Sequence, residues 1–165
     1  MNTHQQQLQM SEQDEVDKIV DQYADSLFRL CFTILRNRMD AEDAVSETLM
    51  KYLIKAPEFQ KEEHRKAWLI RVASNICKDM IRGNRYREHL DLNEVCLIAP
   101  DQTDNNILET VLRLPEKYRT TIYLYYIEGY SSVEIADILS ITSSAVRKRL
   151  QYGRKMLKLE YEKEE

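Results

Sequence analysis

Residues 114–158 read LPEKYRTTIYLYYIEGYSSVEIADILSITSSAVRKRLQYGRKMLK. Ser131 and Glu134 have the spacing of a capping box, in which a hydroxyl and a carboxylate each satisfy a backbone N–H at a helix start. The helix they open carries Val133, Ile135, Ala136, Ile138 and Leu139 inward, and Ser140, Ile141 and Thr142 follow as a tight turn. A longer helix then sets Ala145, Val146, Leu150 and Leu157 on one side and Arg147, Lys148, Arg149, Arg154, Lys155 and Lys158 on the other. Apolar residues every three or four positions bury one face of a helix and leave the rest in water. Short helix, turn and basic helix make the layout of a helix-turn-helix, whose second helix enters the major groove of duplex DNA. Ser143, Ser144, Arg147, Lys148, Arg149, Gln151 and Arg154 are the candidate contacts to that duplex. Between residues 143 and 158 every charge is basic, which suits a polyanion better than a solvated protein face.

Upstream, Pro115 sits where a first-turn proline belongs, opening a helix that runs to about residue 127 and stops at Gly129. Asp104 is placed to cap a shorter helix with Ile107, Leu108, Val111 and Leu112 inward. Residues 87–104 have no sustained period and hold Pro100 with most of an acidic cluster, so they read as a flexible linker. Before it lie three amphipathic stretches. The first spans residues 15–36 through Val16, Ile19, Tyr23, Leu27, Leu30 and Ile34, with Asn37 as its stop. Asp40 is the expected N-cap of the second, which turns Ala44, Val45, Thr48, Leu49, Tyr52 and Leu53 inward. A loop over residues 59–64 leads to the third, which passes through Trp68, Leu69, Val72, Ala73, Ile76, Cys77 and Met80 and ends near Gly83. The polar start, residues 1–13, reads as a frayed tail. The expectation is an all-α chain of two small helical domains, residues 14–86 and 105–160, joined by a flexible acidic linker.

Composition agrees. Glycine and proline number three each in 165 residues, too few for the closely spaced turns of a sheet protein. The net charge of −4 conceals segregation: Lys61, Arg65, Lys66, Arg71, Lys78, Arg82, Arg85 and Arg87 crowd the third stretch, and a second basic block ends the chain. Cys31, Cys77 and Cys96 are odd in number and lack metal-ligand spacing, so free thiols in a reducing cytosol are expected. No apolar run approaches a bilayer-spanning length and no signal-peptide pattern opens the chain. Residues able to form a nucleophile–base pair, a metal site or a phosphate-cradling glycine loop do not occur together. The reading is a soluble, cytoplasmic, non-enzymatic protein needing no cofactor or metal.

The stretch at residues 114–158 resembles the carboxyl-terminal domain of the extracytoplasmic-function (ECF) subfamily of bacterial RNA polymerase sigma factors. That domain runs from a leucine-proline start through E-G-x-S-x-x-E-I-A to V-(K/R)-x-R-L-x-x-(A/G)-R. Two further segments match in order: DAEDAVSETLMKYL resembles the family's polymerase-binding helix, and AWLIRVASNICKDMIRGNRYR its promoter-melting segment. Three departures stand out. Ser46 replaces a usual glutamine, Ser140 a common turn glycine, and Ser144–Ala145 a frequent Gly-Thr pair, the latter two implying an unusual promoter or a shifted turn.

The resemblance implies a sigma factor, region 2-like at the front and region 4-like behind. Asp40, Glu42, Asp43, Ser46 and Glu47, on the exposed side of the second helix, would bind core RNA polymerase. Arg71, Lys78, Arg82 and Arg85 would neutralise phosphates of melted promoter DNA. Asn75 would offer its amide donor and acceptor to a base flipped from that strand, under a lid formed by residues 59–66. Implied partners are core polymerase, promoter DNA and an anti-sigma factor, with the free chain monomeric and not membrane-inserted. The alternative is a stand-alone helix-turn-helix regulator binding duplex DNA as a dimer; a third reading is a helical protein-interaction module. Trp68 and the tyrosines 118, 123, 125, 126 and 130 read as packing residues before they read as base-stacking platforms.

Overall fold

The computed structural model describes residues 3–84 and 105–164, and every regular element among these is a helix. The helices are α1 (Thr3–Leu35), α2 (Arg38–Lys55), α3 (Glu62–Arg82), α4 (Asn105–Arg113), α5 (Glu116–Tyr126), α6 (Ser132–Leu139) and α7 (Ser143–Glu164). Residues 85–104, which include Arg85, Cys96, Asp104 and the expected linker, lie outside the described residues.

Helices α1, α2 and α3 pack on one another as the front unit, and α4 to α7 form the second. The front core is built from Tyr23, Leu27, Leu30, Phe32, Ile34, Ala44, Leu69, Ala73 and Ile76, and the second from Leu108, Leu112, Tyr123, Leu124, Ile135, Ile138, Val146 and Leu150. Gly153 lets α7 approach α5: a Cβ there would stand 2.9 Å from Ile122 Cγ1. The two cores form one continuous apolar cluster, because α1 packs on α5 and α3 packs on α6.

Several local expectations are corrected. The first helix begins at Thr3 rather than after residue 13, although nothing before Ile19 is buried. Extending an existing helix avoids the cost of nucleating a new one, so good helix formers such as the glutamines continue it without tertiary support. Arg36 adopts a left-handed φ of 57°, and the cap of α2 is Asn37, whose side-chain oxygen accepts the Asp40 N–H at 3.1 Å. Asp40 therefore lies within the first turn, where its carboxylate opposes the positive end of the helix dipole. Leu53, Ile107 and Val133, expected inward, are exposed. Helix α7 runs on to Glu164, past the basic stretch that ends at Lys158.

Candidate nucleic-acid interface

The helix-turn-helix forms as its sequence predicts. Ser131 Oγ accepts the Glu134 N–H at 3.2 Å, and the Glu134 carboxylate accepts the Ser131 N–H at 3.4 Å. At the turn Ser140 takes a left-handed φ of 55°, and the Ile141 N–H reaches back to the Ala136 carbonyl at 3.0 Å. This is the geometry that glycine adopts most easily after a helix end. The serine keeps the turn in place rather than shifting it. Thr142 Oγ1 accepts the Ala145 N–H at 3.1 Å and starts α7.

Burial of Val146 and Leu150 fixes the rotation of α7. Ser144, Arg147, Lys148, Gln151 and Arg154 then lie exposed, at spacings that place them on one face. Arg154 Nη1 also donates to Tyr126 Oη at 3.0 Å. Ser143 and Arg149 are half-buried. Arg149 stands near enough to Lys78 of α3 for its charge to act there, which sets it apart from the exposed stripe.

On α3, Arg71, Asn75, Lys78 and Arg82 recur at intervals of four, three and four, so they form a second stripe. Asn75 and Arg82 are exposed, Arg82 pairing with Asp79 at 3.2 Å. Arg71 and Lys78 are occupied by the other unit: Arg71 is ion-paired with Asp137 of α6, and Lys78 Nζ donates to the Leu139 carbonyl at 3.2 Å. Burial pushes the Lys78 pKa below the ordinary lysine value, the charges of Arg149 and Arg82 adding to the effect and Glu116 opposing it.

In the segment expected to form a lid, Phe59 stacks on Tyr52, and both meet Trp68 edge-on. Phe59 and Arg65 line a groove of about 740 Å³ together with Glu12, Glu15 and Glu58, and Asn75 is not among its walls. Trp68 is thus a packing residue. Of the tyrosines, Tyr123 is buried and Tyr118 half-buried, whereas Tyr125 and Tyr126 face solvent.

On α2, Glu42, Asp43, Ser46 and Glu47 are exposed, with Glu42 paired to Arg38 at 3.0 Å and Glu47 to Lys51 at 3.7 Å. Asp40 is 6% exposed, which corrects its expected place on the outer side. The same face carries Met39, Met50, Leu53 and Ile54, all more than half exposed. Sequence reasoning missed this apolar component. The helical progression 39, 43, 46 or 47, 50, 54 would have revealed it.

Residues 19–87 match the Sigma-70 region 2 family model and residues 104–157 the Sigma-70 region 4 model. The ECF RNA polymerase sigma factor SigW of Bacillus subtilis is 32% identical over 171 aligned positions, covering 92% of this chain and 91% of SigW. CnrH, solved in complex with the cytosolic domain of CnrY, superposes with a TM-score of 0.69 at 21% identity, covering 93% of this chain and 91% of CnrH. The sigma factor RpoE from Bartonella quintana, solved with the anti-sigma factor NepR, gives 0.68 at 21%, covering 89% of this chain and 94% of RpoE. The two structural likenesses agree with the all-helical fold. The ordered region 2 and region 4 matches, and the near full-length relation to SigW, show that the chain belongs to the ECF RNA polymerase sigma factors, non-catalytic subunits that bind core polymerase and promoter DNA to start transcription.

Proposed function

We propose that this chain selects promoters by a division of labour between its two units: the α7 stripe reads an upstream duplex element and the α3 stripe holds the melted strand downstream. The observation that carries this reading is the pair of basic stripes on separate helices. Five exposed side chains of α7, Ser144, Arg147, Lys148, Gln151 and Arg154, share one face, and Asn75 stands exposed between Arg71 and Lys78 on α3. A stripe of bases gives affinity for phosphate, while an amide among them adds a donor and an acceptor for a base edge.

The α2 face supports a polymerase-docking role. Methionines and aliphatics beside Asp43 and Glu47 suit a partner helix that is itself apolar and basic, since apolar burial supplies affinity and the charges set orientation. The sigma factor RpoE was solved with an anti-sigma factor, and a protein of that class is proposed as a further partner of this chain.

The test is reconstitution with core polymerase, followed by transcription from a library randomised at both promoter elements. A preference at two separated elements, absent with core polymerase alone, is the expected result. Tight dimeric binding to a palindromic duplex without polymerase would instead establish a stand-alone regulator.

A further inference from the structure

The contacts between the two units are unevenly distributed over the two stripes. Helix α6 lies along α3, where Asp137 takes Arg71 and the Leu139 carbonyl takes Lys78. Five residues before Arg71, Lys66 pairs at 3.4 Å with Glu128 of the connection between α5 and α6, whose side chain is only 8% exposed. Glu128 also accepts from Tyr123 at 3.0 Å and from Ser26 at 3.5 Å. Three bases of the front unit are therefore engaged by a carboxylate, a carbonyl and a second carboxylate of the other unit. These are the acceptor types that phosphate oxygens would otherwise supply. Among the described residues the exposed stripe of α7 has no such cover: Arg147, Lys148 and Gln151 all face solvent.

We infer that α6 is a latch on the strand-holding face of α3, with Asp137 standing in for a promoter phosphate on Arg71, while the duplex-reading face of α7 is left open. The inference rests on the proposed role of α3 in holding melted strand. It makes the closed chain asymmetric: upstream duplex can bind with the latch shut, but single strand binds only after α6 leaves α3. The closure rests on the apolar packing of α6 on α3 as well as on these polar contacts, and the ion pair tunes it. The Arg71 and Asp137 side chains are 41% and 74% exposed, which places their pair among those of small individual strength. Lys78 adds less to the closure than an exposed lysine would, because burial disfavours its ammonium, with Glu116 partly offsetting and Arg149 and Arg82 reinforcing that effect.

The experiment uses the full chain with donor and acceptor dyes on cysteines introduced at Asp79 in α3 and Val133 in α6, both exposed, in a Cys96→Ser background. Two probes follow binding: a fluorescent single-stranded deoxyoligonucleotide of random sequence, and a duplex of the same length. Asp137→Arg sets two cations against each other. The expected result is a longer dye separation and a rise of about two- to fivefold in affinity for single strand relative to duplex, the range set by one exposed ion pair. The charge swap Arg71→Asp with Asp137→Arg should bring the dyes back together. An unchanged separation in Asp137→Arg would overturn the latch, and so would an equal gain for both probes, which is the effect of added positive charge alone. If the dyes respond while no variant binds single strand, α3 is not the strand holder; the proposed function then fails although the contact is real.

Discussion

The Arg119 guanidinium of α5 donates through Nε to the Thr33 carbonyl of α1 across 2.6 Å, joining the two units of the chain at a buried point. The same group reaches the Ile34 carbonyl, and through Nη1 the Leu114 carbonyl at 2.9 Å. Thr33 and Ile34 belong to the last turn of α1, where carbonyls lack an intrahelical partner. A cation there also meets the negative end of the helix dipole. Arg119 is 5% exposed, so these carbonyls stand where water would otherwise solvate its charge.

Arg119→Ala should destabilise the chain by about 3 kcal/mol, since buried carbonyls lose a charged donor and regain no water. Arg119→Lys should recover little, because an ammonium cannot reproduce the planar fork. Urea unfolding followed separately through Trp68 in the front unit and far-ultraviolet circular dichroism for the whole chain checks both points. In the wild type the two signals should coincide; in Arg119→Ala they should separate as the units uncouple. Coincident curves with an unchanged midpoint would show that Arg119 joins nothing of consequence.

Ser140→Gly should stabilise the protein by about 0.5–1 kcal/mol, because a left-handed φ of 55° strains serine but not glycine. Thermal melting should show a rise of a few degrees. Sequence preference at the upstream element should stay the same, since Ser140 lies on the turn and not among the exposed α7 side chains. A fall in melting temperature would mean that the serine side chain contributes more than its backbone strain costs.

The capping box, the turn, the run of α7 and the burial of Val146 and Leu150 were all legible in residues 131–150, because local pairing and helical period determine them. Asp40 was misplaced because two competing caps lie three residues apart, and the choice fell to Asn37 through the left-handed turn at Arg36, a backbone feature with no sequence period. Leu53, Ile107 and Val133 lie at the surface although their helical spacing points inward, because an apolar residue is free to remain exposed. The docking of α6 on α3 was not legible at all. It depends on contacts such as Arg71 with Asp137 between residues far apart in sequence, and a reading of two separate basic patches carries no information on whether they meet.

On α2 the burial pattern separates two kinds of carboxylate. Asp43→Arg and Met50→Lys alter exposed side chains, so each should weaken binding to core polymerase severalfold and leave the melting temperature nearly unchanged. Asp40→Ala should do the opposite, lowering stability by about 0.5–1 kcal/mol through loss of the acid in the first turn while leaving polymerase affinity close to wild type. Fluorescence titration of labelled protein with core polymerase, alongside thermal melts, resolves the two effects. Loss of polymerase binding in a fully stable Asp40→Ala protein would return that residue to the docking surface.

Arg147 and Lys148 are neighbours on the exposed face of α7 near its amino end, but their chemistry suits them to different tasks. A guanidinium can pair with the two acceptors on the major-groove edge of guanine, whereas an ammonium on a flexible stem is a point charge suited to phosphate. A good base contact is worth about 1–3 kcal/mol of discrimination, while a phosphate contact weakens all sequences alike. Arg147→Ala should therefore flatten the preference at one or two upstream base pairs. Lys148→Ala should preserve the preference and reduce the salt dependence of binding by about one phosphate. The measurement is transcription by each mutant polymerase complex from a promoter library randomised upstream, repeated across a salt series. Arg149 is a useful third variant: half-buried and close enough to Lys78 for its charge to act there, it should change neither the preference nor the salt slope as much as its neighbours. If Arg149→Ala, and not Arg147→Ala, erases the upstream preference, α7 must rotate or separate from α3 when it meets DNA, and the exposed stripe seen in the closed chain is not the reading face.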